Sequence, residues 1–344
     1  MPKQRRPSRV PTPPWDASVR RSGETSWRLL ATLGVLVLLA AGAALASFAV
    51  ARGIWEQRNR PNSAAIRVGE NTYSLRYFAQ RLRLHLQDVG GANSNLGQPA
   101  NALSAVAQRI VQEELLHRFG AELGLALEPQ EVDDALRQRV GAQPPAEGQE
   151  DPFPNLYQQE LQRSGLTDQQ YRWMVEGELL LDKALDHFQA QVPAQAEAVR
   201  YRQIVVRSIA QADQIIARVR GGEDFAAVAR AESLDSTTRQ NGGEVGWMPR
   251  GALPAGAETV LFGLQPGEMA RYQDPESALV YVYQVLERDP QHTLNDTQKL
   301  VLARRALDDW LAQKRLQVEI RNYVDPLTGD TRKLNWLLKE VYGV

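Results

Sequence analysis

Cysteine is absent from all 344 residues. That absence excludes disulfides, thiolate metal ligands, a thiol nucleophile and a lipidated N-terminal cysteine. It leaves the compartment open, since a cysteine-free chain folds on either side of a membrane. Histidine is scarce as well. His85, His117, His187 and His292 lie far apart, and none forms a His-x-x-x-His pair, so no metal site is expected. An excess of charge of either sign is also missing. A net charge of −1 gives no electrostatic ground for a nucleic-acid partner. No glycine-rich loop suited to cradling a phosphate is present, and no cofactor is expected.

What remains is an ordinary folding composition, 43% hydrophobic and 24% charged, in a chain long enough for two domains. Residues 29–51 form a run of 23 without a charge. About 20 apolar residues cross a bilayer at a helical rise of ~1.5 Å per residue. Seven basic residues (Lys3, Arg5, Arg6, Arg9, Arg20, Arg21, Arg28) precede the run, against two acids, Asp16 and Glu24. The positive-inside bias then predicts a single-pass transmembrane helix over 29–51, a disordered cytoplasmic tail over 1–28, and an extracytoplasmic main body. Ala44-Leu-Ala46 could serve a signal peptidase, but the run exceeds the ~7–15 residues of a cleaved signal's apolar region.

Beyond the anchor, residues 64–72 read as a short strand with a turn. Ser74 then caps an amphipathic helix to about Gln87. Helical periodicity resumes at Ala102, restarts near Pro129, and returns over 156–164 and 167–190 with Thr167 as a cap. Val68-Gly-Glu-Asn-Thr72, Glu113-Glu-Leu-Leu116, Gly124-Leu-Ala-Leu127 and Gly165-Leu-Thr167 follow in an order that resembles the N-terminal domain of SurA/PrsA-type extracytoplasmic foldases. Near the end of the chain, Leu300, Ala303, Leu307, Trp310 and Leu311 share one helical face. The resemblance implies that this C-terminal helix packs back on the helical domain.

Between these parts, Phe225-Ala-Ala-Val-Ala-Arg230, Ser233-Leu-Asp235, Gly242-Gly-Glu-Val-Gly-Trp247 and Phe262-Gly-Leu-Gln-Pro-Gly-Glu-Met269 occur in the order of a parvulin-type (PpiC, rotamase) peptidyl-prolyl isomerase domain. The expected fold is therefore α+β. Its parts are a transmembrane helix, a helical domain over 62–195, an inserted parvulin-like βααβαβ domain over 196–290, and a returning segment over 291–344. Residues 233–246 are expected to be a polar loop.

A prolyl isomerase must lower the ~18–20 kcal/mol barrier to rotation about an amide, with no covalent bond made. The resembling family is understood to use two histidines, a cysteine or aspartate, and an apolar shelf. Position by position, the first-strand histidine falls on Gln203 and the closing-strand histidine on Tyr281, or on Val280 if the register slips by one. Asp235 keeps the acidic position, Leu253 and Ala257 stand at the shelf, and Val245 and Trp247 flank it. Asp235, Gln203 and Tyr281 are thus the candidate polarising groups; Val245, Trp247, Leu253 and Ala257 are the candidate ring-binding groups. The resemblance implies a chaperone or foldase for unfolded or newly exported polypeptides; the run at 29–51 makes it membrane-anchored, and the departures at the site positions imply weak or no isomerase activity. Alternatives are an active isomerase and a structural scaffold of an envelope complex.

Overall fold

The computed structural model describes residues 23–95, 97–145, 149–275 and 277–343. It divides into two compact units, Met1–Ser63 and Ala64–Val344.

The described residues of the first unit form a helix, α1 (Gly23–Asn59), followed by a short 3-10 turn (Arg60–Asn62). It starts ahead of the expected run, so residues 23–28 are helical where a disordered tail is expected; residues 1–22 lie outside the described set. It also continues beyond residue 51 through a polar turn, where Arg52 pairs with Glu56 at 2.8 Å, and ends just before Pro61. Among the described residues no helix is long and apolar enough to cross a membrane. Within 29–51 the side chains of Leu29, Val35, Val37, Leu38 and Ala40 lie outside the described set.

The second unit opens with a hairpin, β1 (Ala64–Val68) and β2 (Asn71–Ser74), turned at Gly69 with φ +59°. Five helices follow: α2 (Leu75–Asp88), α3 (Pro99–Phe119), α4 (Pro129–Arg139), α5 (Phe153–Ser164) and α6 (Asp168–Gln191). Their starts obey local chemistry. The Ser74 hydroxyl accepts from the Tyr77 amide at 3.2 Å, and Thr167 forms a reciprocal capping box with Gln170. The core of this part gathers Phe78, Leu82, Ile110, Leu115, Tyr171 and Met174. Two acids are buried in it. Glu113 holds Arg81 by two bonds of 2.6 and 2.7 Å, while Glu114 accepts from Asn71 and from the Tyr73 hydroxyl. These bonds tie α3 to α2 and to the hairpin.

The chain then runs into β3 (Gln195–Val206), α7 (Ile209–Arg220), α8 (Phe225–Glu232), β4 (Glu244–Pro249), α9 (Ala255–Gly263), β5 (Met269–Gln273) and β6 (Val280–Thr293). The strands make an antiparallel sheet in the order β4-β3-β6-β5. The expected βααβαβ order is thereby corrected to βααβαββ. Part of the expected polar loop, from Glu244, is a strand, because its backbone pairs with β3 from Ala198↔Pro249 to Arg202↔Glu244. Three glycines in and before that strand (Gly242, Gly243, Gly246) thin out the alternation that would have announced it.

The returning segment is also more than one helix. α10 (Asp296–Arg315) packs on α6 and α3, with Ala303 buried and Leu307 and Leu311 in the helical core. It is followed by β7 (Ile320–Asn322), which pairs with β1, and α11 (Thr331–Leu337). The first sheet thus has the order β2-β1-β7, and the end of the chain closes the fold that its hairpin begins.

Candidate functional site

Strand alternation gives the β4-β3-β6-β5 sheet two different faces. On one face, Ile204, Val206, Val280 and Val282 meet Ala212 and Ile215 of α7 and Phe225 and Val228 of α8. That face is an apolar core. The other face carries Val199, Tyr201, Tyr283 and Val285, covered at one end by Ala257, Leu261 and Phe262 of α9. Gln203 lies directly across from Tyr283 in the ladder, and Tyr281 across from Tyr272 on β5. The candidate site is built on this second face.

The loop after α8 is pinned beside it. The Leu234 amide donates to the Val205 carbonyl at 2.8 Å, and the buried Ser233 hydroxyl accepts from the Val205 amide at 3.1 Å. Asp235 is thereby presented at the mouth of the face. Its Oδ2 accepts from Gln203 Nε2 at 2.8 Å and from the Thr238 hydroxyl, and its Oδ1 accepts from the Thr237 amide at 3.0 Å. Burial pushes this carboxyl up, but the bonds from Thr238, Gln203 and the loop amides outweigh it and hold it below the usual carboxylate value. Asp235 is therefore an anion that accepts hydrogen bonds and cannot donate one.

The glycines behind it have a steric cause. At Gly243, with φ +82°, a Cβ would stand 2.3 Å from the Gln203 carbonyl oxygen. The Gly243 carbonyl in turn accepts from the Gln203 amide at 2.8 Å. Only glycine lets the two backbones approach so closely.

Four tyrosines floor the site. Ring centroids lie 5.6 Å apart for Tyr201–Tyr283, 5.9 Å for Tyr281–Tyr283 and 6.3 Å for Tyr272–Tyr281. Burial, then the negative charges of Asp274 and Asp235, raises the Tyr281 phenol. Burial and then Asp235 raise Tyr201; burial is again the main cause at Tyr283. All three stay protonated at neutral pH and can act as hydrogen-bond donors.

Gln203, Asp235 and Tyr281 thus share one face, with Val245 and Leu253 packed at its edge. Two expected residues depart from it. Ala257 is only 3% exposed, in the floor rather than on a contact surface. Trp247 stands across from Arg200, on the opposite face from Tyr201, and stacks on His292 at 4.6 Å. It packs toward α10, where Gln298 Nε2 donates to the Trp247 carbonyl at 3.0 Å. Sequence reasoning missed Tyr201, Tyr272 and Tyr283. The two-residue spacing of Tyr281 and Tyr283 was the available signal. Near the missing aromatic at 257, Tyr272 packs on the first turn of α9, where a Cβ on Gly256 would meet its ring at 2.9 Å. Among the described residues no three histidine or acidic side chains cluster as a metal ion would require.

A four-stranded antiparallel sheet with two helices on one face and a short helix beside a polar loop on the other is a parvulin-type arrangement. In agreement, residues 202–275 match the family model for the PPIC-type PPIase domain. Residues 20–185 match the model for the SurA-like N-terminal domain. The chain is SurA/PrsA-like, combining a SurA-like N-terminal domain with a PPIC-type PPIase domain.

It is 39% identical over 75 residues to the foldase protein PrsA of Caldanaerobacter subterraneus, covering 22% of this chain and 24% of that one. It is 32% identical over 156 residues to the chaperone SurA of Bordetella avium, covering 40% and 30%. To the chaperone SurA of Ralstonia nicotianae it is 23% identical over 260 residues, covering 66% and 50%. The matches thus span from about a quarter to half of the length of these curated relatives. Among solved structures it is similar to the peptidylprolyl isomerase PrsA of Bacillus anthracis, with a TM-score of 0.42 and 17% identity, covering 69% of this chain and 97% of that one.

Proposed function

We propose that the chain is a membrane-anchored, extracytoplasmic folding factor that holds unfolded or newly exported polypeptides and has weak or no prolyl isomerase activity. The observation that carries this reading is the pairing of a complete helical part, closed by α10 and β7, with a sheet part whose site positions bear Gln203, Tyr281 and Ala257. The anchor is supported by the uncharged run at 29–51 and the seven basic residues ahead of it. The holding function is supported by similarity to proteins named as SurA chaperones and a PrsA foldase.

Two measurements test it. The full chain in lipid nanodiscs should slow aggregation of a chemically unfolded client at stoichiometric ratios. Failure to do so, together with no binding of unfolded peptides, rejects the reading. Protease treatment of intact cells should cleave the main body and spare a tag placed ahead of residue 29; the reverse pattern rejects the topology.

A second reading, an active isomerase, is favoured by the Gln203–Asp235 bond and the phenols beside it. Amide resonance places negative charge on the carbonyl oxygen. An anion held near that oxygen opposes the resonance form and eases rotation, while a phenol donating to the twisted amide would favour the transition state. A protease-coupled assay on Ala-Ala-Xaa-Pro-Phe peptides separates the two readings. A rate above background that Asp235→Ala abolishes makes the domain an enzyme.

A further inference from the structure

The helical part contains a cavity of about 350 Å³ between β2 and the first turns of α6, sharing no lining residue with the tyrosine face. Asn71, Tyr73, Tyr77, Gln169, Gln170 and Trp173 line it, and none of the described lining residues is charged. The polar ends of its aromatic walls are already engaged. The Tyr73 hydroxyl donates to Glu114 at 2.6 Å and accepts from Trp173 Nε1 at 3.3 Å, and the Tyr77 hydroxyl accepts from Arg81 at 2.8 Å. His117 stacks on Trp173 at 3.6 Å and fixes that ring from one side. What the cavity offers a ligand is therefore ring surface and uncharged amide.

Beside it, β2 is an edge strand. In the order β2-β1-β7 it has one neighbour, and Asn71 and Thr72 are exposed. An edge strand presents unpaired amides and carbonyls at the spacing another strand needs. A neutral aromatic pocket next to such an edge selects one kind of occupant: an extended, uncharged stretch of polypeptide that pairs with β2 and seats an aromatic or branched aliphatic side chain in the pocket.

We infer that β2 and this cavity are the site where the helical part takes unfolded polypeptide, by strand addition. The inference rests on the folding-factor reading and goes beyond it by assigning the surface and the binding mode. Recognition requires no proline and does not involve Asp235.

The test uses the full chain in nanodiscs and a fluorescein-labelled octapeptide of Ser and Thr with Phe at alternate positions, followed by anisotropy. Gln169 is exposed, its side chain bonds to no other described residue, and the cap of α6 is made by Thr167 and Gln170, so Gln169→Trp fills the cavity without unseating that cap. Binding is expected to weaken at least about tenfold in Gln169→Trp, with an unchanged melting temperature. The same octapeptide N-methylated at alternate amides should also bind at least about tenfold more weakly, because methylation removes the strand-pairing donors. Unchanged affinity in both arms overturns the inference. If the parent chain ignores the octapeptide yet still suppresses client aggregation, this site falls and the folding-factor reading stands; if it does neither, both fall. A dimer abolished by Gln169→Trp, with no peptide binding, would make a second copy the occupant and overturn the inference.

Discussion

The side-chain amide of Gln203 donates to Oδ2 of Asp235 across 2.8 Å, joining the middle of β3 to the loop after α8. The same carboxylate caps its own turn through the Thr237 amide, so one anion serves both a strand and a loop.

Because these bonds hold Asp235 below its ordinary value, its contribution to stability has a defined direction with pH. It is fully present above the unfolded carboxyl value of ~3.9 and is lost as pH falls through the lower folded value. The melting temperature of the parent should therefore drop relative to Asp235→Asn below about pH 4 and keep a constant offset from it between pH 5 and 7. Thermal unfolding followed by circular dichroism at stepped pH checks this. A constant offset down to pH 2.5 would contradict it.

Gly243→Ala should cost roughly 3 kcal/mol, since its Cβ would press on the Gln203 carbonyl at 2.3 Å and the φ of +82° disfavours a side chain. Gly263, at the end of α9 with nothing within 4 Å of a new Cβ, is the matched control. Gly263→Ala should be neutral or stabilising by up to about 1 kcal/mol. Denaturant midpoints of the two variants report the contrast directly; equal losses would remove the close-approach explanation.

The Arg81–Glu113 pair is almost entirely buried, with side chains 4% and 5% exposed. Removing one partner leaves a buried charge alone, so Glu113→Gln or Arg81→Met should lose about 3–5 kcal/mol. Replacing both, Arg81→Met with Glu113→Leu, should recover most of that loss. A double-mutant cycle in urea measures it, and additive losses would show that the two charges are not coupled.

Trp247 and Tyr281 lie on opposite faces of one sheet, and their substitutions should separate. Trp247→Phe thins the stack on His292 and should lower stability by roughly 1–2 kcal/mol without altering prolyl-peptide contacts. Amide shift mapping with an Ala-Ala-Pro-Phe peptide should mark Val245, Leu253 and Tyr281 and pass over Trp247. The opposite map would place the peptide surface on the other side of the sheet.

Helix starts were legible because their signals are local. Ser74 and Thr167 cap the elements they precede within hydrogen-bond reach of the next turn. The opening strand and two helices of the PPIase-like segment were legible for a similar reason, their stop and turn signals standing at fixed offsets, although the full order lacked one strand. β4 was not. In Glu-Val-Gly-Trp-Met-Pro the pattern is broken by glycine, and pairing with β3, more than 40 residues away, decides the conformation. β7 is three residues long, too short to carry a pattern, and exists because β1 supplies its ladder.

At the site, Asp235, Gln203 and Tyr281 were found from positions along the chain, and they do share a face. The companions Tyr201, Tyr272 and Tyr283 come from three strands, so their meeting depends on the registers of β3, β5 and β6 rather than on any one segment. Trp247, expected to flank the shelf, stands on the other face of the sheet. Its side is fixed by the pairing with Arg200, the neighbour of Tyr201 on β3, a register that β4 alone does not reveal.

The sheet part leaves the helical body on β3 and returns on β6, strands paired from Gln195↔Thr293 onward, and the Leu294 amide still reaches the Ala194 carbonyl at 2.9 Å. Its two ends are thus nearly in contact. A deletion between them could be healed by a tight turn, and a different module with adjacent ends could be spliced in at the same seam. In heritable terms residues 195–293 form a cassette: a lineage could lose, exchange or duplicate it while the helical body keeps its own core.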